Sequence, residues 1–163
     1  MQPTKDSFYV TLRDRLVACD PNRTVTLDGA TRPAIAVVEN EPPTSAPLLC
    51  DTFYLHWGSV RPAALAAGSL MALDCTISYS TNGSVANANL DRGRDLASLD
   101  NDLLTMCAPP QTAKCDYSSG SPVALGSTIF WTQPVLNAAK SAPPYLGRDV
   151  SVTVFFYPEV NQS

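Results

Sequence analysis

The sequence predicts an α+β domain, an antiparallel or mixed sheet of about six strands with two main helices packed on it, and three stretches carry that prediction. In the first, Met71, Leu73, Cys75, Ile77 and Tyr79 alternate with Ala72, Asp74, Thr76, Ser78 and Ser80. A period of two marks a strand with one buried face and one wet face. In the second, Leu96, Leu99, Leu103 and Met106 recur at intervals of three, four and three, so they share one face of a helix, with Asp95, Asp100 and Asp102 off that seam. The third is the closing stretch, where Val150, Val152, Val154 and Phe156 alternate with Ser151, Thr153, Phe155 and Tyr157. Strands whose apolar face is taken up by helices make a sheet-plus-helix layer.

The other elements follow in chain order. Residues 5–18 read as a first helix: Phe8, Leu12 and Leu16 are spaced by four, with Tyr9 and Val17 widening the stripe and Arg13, Asp14 and Arg15 on its flanks. Thr4 or Asp6 is placed to cap it, and Asp20-Pro21-Asn22 closes it. Residues 25–27 and 33–38 form the two arms of a hairpin about Asp28-Gly29. Residues 39–47, with two proline groups and no apolar period, read as an exposed loop. Residues 48–57, LLCDTFYLHW, read as a strand with Leu49, Phe53 and Leu55 on one side and Tyr54 and His56 on the other. Between 58 and 69 the alanines suit a turn of helix, while Gly58, Pro62 and Gly68 suit a loop. After the central strand a polar connector, 81–89, leads to the second helix, capped by Asn89 or Asp91. Residues 108–122 read as irregular around Pro109-Pro110, and 127–132 as a strand with Ile129 and Trp131 on one face. Residues 133–147 read as a loop with a helical turn near 137–140, and 159–163 as a polar tail after Pro158.

A chain of 163 residues, 45% hydrophobic, is expected to form a single domain, 1–163, around one core. No uninterrupted apolar run spans a bilayer, and the acids and arginines of MQPTKDSFYVTLRDRL do not suit a signal peptide, so the chain is read as unexported. A net charge of −4 without any cluster of Lys or Arg argues against a grip on nucleic acid. The five cysteines make no C-x-x-C pair, and only His56 is available beside them, which argues against zinc. Cys107 and Cys115 flank a Pro-Pro turn and can bridge if oxidised, although free thiols are favoured in an unexported chain.

Catalysis finds little support. His56 is the only usual general base, and no serine lies near it in a nucleophile-elbow context. Asp91 and Asp95 are spaced to hold a divalent ion, but capping and the helix dipole account for them as well. No glycine-rich phosphate loop occurs. The expectation is therefore no enzyme, no cofactor and no metal. The long loops and the aromatics Phe53, Tyr54, Trp57, Trp131, Phe155 and Tyr157 point instead to partner surfaces. The interface is expected at Phe155, Tyr157, Val150, Tyr54 and Trp131, with loops 39–47 and 108–122 on its other side.

In order, the chain holds an N-terminal helix LRDRLVA, a hairpin ending RPAIAVV and a strand ending in aromatics. LDCTISYSTNG, the helix DRGRDLASLDNDLLTM and a closing VSVTVFFYPE follow. That order resembles the tail-terminator and minor tail proteins of long-tailed phages and prophages. The resemblance implies a helix–sheet–helix subunit forming a homo-oligomeric ring at the end of a tail tube. Its partners would be tail-tube and head-completion proteins, with no membrane and no sequence-specific nucleic acid, in the virion tail or the host cytoplasm rather than secreted. The alternative is a small-molecule or protein-binding α+β module without catalytic activity.

Overall fold

The first helix, α1 (Gln2–Cys19), begins a turn earlier than its apolar stripe requires. In the computed structural model, which describes residues 1–27, 29–40, 48–63 and 69–159, its N-cap is Met1. Neither Thr4 nor Asp6 caps it: Pro3 occupies the first turn, where a missing N–H costs nothing, and Thr4 is buried. Phe8, Leu12 and Leu16 are fully buried, as their spacing predicts, while Val17 lies on the solvent side.

The expected hairpin divides in two. Strand β1 (Thr24–Leu27) pairs antiparallel with β2 (Ala30–Pro33), and the turn at Asp28 lies outside the described residues. At Ala34 the chain leaves that pair, and β3 (Ile35–Val37) runs parallel to β4 (Phe53–Pro62). The reason is burial on both faces: Ile35, Ala36 and Val37 are all in the core, so this apolar run is a covered edge strand parallel to β4 and not one arm of a wet ribbon. Strand β4 starts later and ends later than its sequence suggests. Residues 48–52 are not strand, and Leu48 and Leu49 are exposed. Beyond Trp57 the strand continues through a bulge to Pro62, where β3 no longer flanks it and a proline removes no ladder bond. Residues 41–47 and 64–68 of the two expected loops lie outside the described residues.

Strand β5 (Met71–Thr81) and helix α2 (Arg92–Met106) match their periodicities, and Leu96, Leu99, Leu103 and Met106 are buried. Asp91 occupies the N-cap position, but its carboxylate caps no helix N–H. It turns back into the connector, accepting from the Ser84 amide (2.8 Å), the Ser84 hydroxyl (2.8 Å) and Asn87 Nδ2 (2.7 Å). These donors, Asn87 first, hold its pKa far below the usual carboxylate range. Gly83 makes that turn possible: its φ is +75°, and a Cβ there would sit 2.7 Å from Asp91 Oδ1.

Two stretches expected to be irregular contain strands. Residues 108–122 hold β6 (Gln111–Asp116), paired with β7 (Val123–Trp131). Residues 133–147 hold β8 (Val135–Leu136), β9 (Lys140–Ala142) and the start of β10 (Tyr145–Phe156), with no helical turn near 137–140. The sheet is mixed and eight-stranded, in the order β3-β4-β5-β10-β7-β6, with β8 and β9 also paired to β10. The class is thus the expected α+β, with somewhat more strands.

Both helices lie on one face of this sheet. Phe8 meets Trp57 and Trp131 edge-on, at 5.7 and 5.1 Å between ring centres, and Leu99 and Leu103 pack toward Cys75, Ile77, Val150 and Val152 in the same cluster. Helix α1 also closes the outer edge of β6. Ser7 Oγ accepts from the Cys115 amide (2.9 Å), and Arg15 donates to the carbonyls of Pro109 (2.6 Å) and Gln111 (3.0 Å). A strand edge covered by helix side chains is no longer a template for another strand.

Candidate functional site on the open face of the sheet

The face away from the helices is built from the polar alternates of the two longest strands. The register sets Ala72, Asp74, Thr76, Ser78 and Ser80 of β5 beside Phe155, Thr153, Ser151, Asp149 and Gly147 of β10. The segment leading into β4 lies over part of it, where the Leu49 amide donates to Tyr54 Oη (3.1 Å). Two carboxylates organise the face. Asp74 pairs with Arg61 and accepts from Ser59 (2.9 Å) and Thr153 (3.1 Å), and the guanidinium holds its pKa low. Asp149 accepts from Lys140 (2.5 Å) and Ser78 (2.7 Å), which likewise hold its carboxyl below the ordinary value, the lysine first. At the Asp74 end, Phe130 and Phe155 stack at 5.2 Å between centres, and Phe130 is 39% exposed.

At the Asp149 end the face sinks into a hollow of about 260 Å³. Its floor is Gly147, where a Cβ would come within 2.9 Å of the Tyr79 carbonyl. Tyr54, Tyr145, Leu48 and Leu49 form the walls, and Ser78, Lys140 and Asp149 supply the polar side.

The residues expected at an interface separate into two groups. Phe155 and Tyr157 do reach the surface, Tyr157 at 49% exposure. Val150, Trp131 and Tyr54 do not, being buried within the chain, and that part of the expectation is corrected. Val150 and Trp131 face the helices, where Trp131 Nε1 donates to the Cys107 carbonyl (2.9 Å). Tyr54 points to the open face but is covered by the segment before it.

His56 lies on the open face opposite Thr76, with Nε2 buried and unpartnered among the described residues. The nearby Ser78 hydroxyl donates to Asp149 and not to an imidazole, so the Ser–His–Asp wiring of a hydrolase is not made. Two acids of α2 are engaged separately: Asp100 with Tyr79 and Arg148, Asp102 with Arg23. Among the described residues no three His, Cys, Asp or Glu side chains come together as a metal site. All five thiols are free.

The sequence reading missed Phe130, Ser78, Lys140, Tyr145 and Asp149. Ser78 was visible as a wet alternate of its strand, but only the β5–β10 register joins it to Asp149. No helix among the described residues is long and apolar enough to cross a membrane. Compared with known proteins, the chain matches no family model and no curated sequence.

Proposed function

We propose that the chain is a structural subunit of a long phage or prophage tail, of the tail-terminator or minor-tail kind. It associates with further copies of itself through the open sheet face and performs no catalysis. The observation that supports this most is the Phe130–Phe155 stack on that face, an aromatic anchor set beside the Arg61–Asp74 pair. Exposed aromatics and arginine at the centre of a patch are what protein interfaces concentrate. The order of elements along the chain, which resembles those tail proteins, supports the class. A ring needs a heterologous contact, so the stack is assigned to one side and the exposed end of the β6–β7 hairpin, around Val123, to the other.

Light scattering over a concentration series tests this, with a Phe130→Lys, Phe155→Lys variant alongside. The wild type is expected at a multiple of 17.4 kDa and the variant at that mass itself. A wild type that stays monomeric, or an oligomer that ignores the double change, refutes this surface as the contact. A second reading, a small-molecule-binding module, is favoured by one observation, the glycine-floored hollow at the other end of the same face.

A further inference from the structure

We infer that the hollow around Gly147 is a binding site for a neutral, hydroxyl-bearing ring of monosaccharide size, stacked on Tyr145 and hydrogen-bonded to Asp149. This rests on the second reading above and names its ligand class.

Size sets the first limit. At about 260 Å³ the hollow falls just below the roughly 300 Å³ at which sites for drug-sized ligands begin, so it takes one ring and not a chain. Shape comes from backbone as much as from side chains. Tyr145, Gly147 and Asp149 alternate to the open face, and at Gly147 the β5 backbone comes so close that a Cβ would meet the Tyr79 carbonyl at 2.9 Å and Ser80 Cβ at 3.0 Å. A glycine in a strand interior marks such a close approach. The hollow is bounded across the sheet by Ser78 and Ser80 of β5 and by Lys140 of β9.

Charge then selects the ligand. Lys140 is neutralised by Asp149 and Arg148 by Asp100, so the site has no net field to attract an ion. An anion meets the Asp149 carboxylate, and a cation meets the Lys140 ammonium. A bare hydrocarbon ring would cover the Ser78–Asp149–Lys140 chain without bonding to it, and a covered polar group left without a partner is costly. Asp149 takes one hydrogen bond on Oδ1 and one on Oδ2, and a carboxylate has about four acceptor sites, so it can still accept from hydroxyl donors. Tyr145, 38% exposed, supplies flat apolar surface for the C–H face of such a ring.

The test is saturation-transfer NMR on the full chain with the methyl glycosides of glucose, galactose, mannose and N-acetylglucosamine, with phenol, benzoate and methylammonium as contrasting probes. At least one glycoside is expected to bind. Its affinity should fall by about tenfold or more in Asp149→Asn and in Tyr145→Ala, as loss of a bond to a charged group or of a stacking wall implies. Phe130→Ala, at the far end of the face, should bind as the wild type does. Amide fingerprints of each variant establish that it is folded, and Tyr145→Phe should retain binding through its ring. Glycoside binding unaffected by Asp149→Asn and Tyr145→Ala would overturn this location. Binding of phenol, benzoate or methylammonium without any glycoside would overturn the ligand class and leave a small-molecule site. Binding of none of the probes would overturn both.

Discussion

Asp102 illustrates how much one side chain can depend on another. It lies off the apolar seam of α2, where a helix acid is ordinarily wet, yet it is only 8% exposed. Burial is tolerable because Arg23, from the turn before β1, lies 2.5 Å away and also reaches Asp20 and Ser98. Breaking such a pair from one side leaves a desolvated charge, whereas replacing both partners with apolar groups does not. Arg23→Met should therefore lower the unfolding free energy by about 3 kcal/mol. Adding Asp102→Leu should restore most of it. Urea denaturation of the single and double variants measures both, and a double variant as unstable as the single one would show that the pair is not what holds this corner. Lys114 is the second buried charge: fully enclosed, it donates to the Tyr157 carbonyl (2.8 Å), pairs with Glu159 (2.6 Å) and lies over the Phe156 ring. It ties the end of β10 to β6.

At the scale of elements, α1 does two jobs that usually need separate structures. Its apolar stripe fills the core between Trp57 and Trp131, and its polar flank satisfies the outer edge of β6. Ser7 is central to the second role, since its hydroxyl accepts from the Cys115 amide and donates to the Pro3 carbonyl (2.6 Å) while fully buried. Ser7→Ala removes the acceptor and leaves that amide buried without a partner, at a cost of about 1–3 kcal/mol. The expected results are a lower urea midpoint and faster hydrogen exchange at Cys115. If exchange at Cys115 matches the wild type, the helix is not what closes that edge. The other long elements, β5 and β10, pair along eleven consecutive positions from Met71–Phe156 to Thr81–Leu146 and form the spine to which the short strands attach.

Across the whole molecule, the core has a consequence for alkaline pH. Burial pushes the Cys107 thiol up to about 12, with nearby Arg15 opposing the shift, and burial raises Cys75 further. In the unfolded chain both thiols ionise near pH 8.5. Between that value and their folded pKa values the unfolded state binds fewer protons, so stability falls as pH rises, by about 1.4 kcal/mol per pH unit for each thiol. Below pH 8 the two states hold the same thiol protons and the contribution is flat. Denaturant midpoints from pH 7 to 10 should show this decline, and Cys107→Ala should make it shallower by one thiol's share, whatever its effect on stability at pH 7. Identical slopes in the two proteins would exclude Cys107 as a source.

The α+β class, α1, α2, β5 and β10 were legible in the sequence because each spans several periods of its own pattern, and a period reports which side of an element faces the core. The candidate site was half legible. Ser78 and Phe155 stood out as wet alternates, but nothing local says that Ser78 lies beside Asp149, or Phe155 beside Phe130. Those neighbours are set by the registers of β10 with β5 and β7, pairings between residues far apart in the chain. Strands β8 and β9 have two and three residues, too few for an alternation to show, and they exist only because β10 offers them an edge. Val150 and Trp131 read as surface aromatics and aliphatics until two helices cover them. Lys114 reads as solvated until the Tyr157 carbonyl and Glu159 close over its ammonium. Periodicity along the chain determined the faces of the long elements; packing between distant segments decided which faces meet, which charges are enclosed, and where the open face sinks to Gly147.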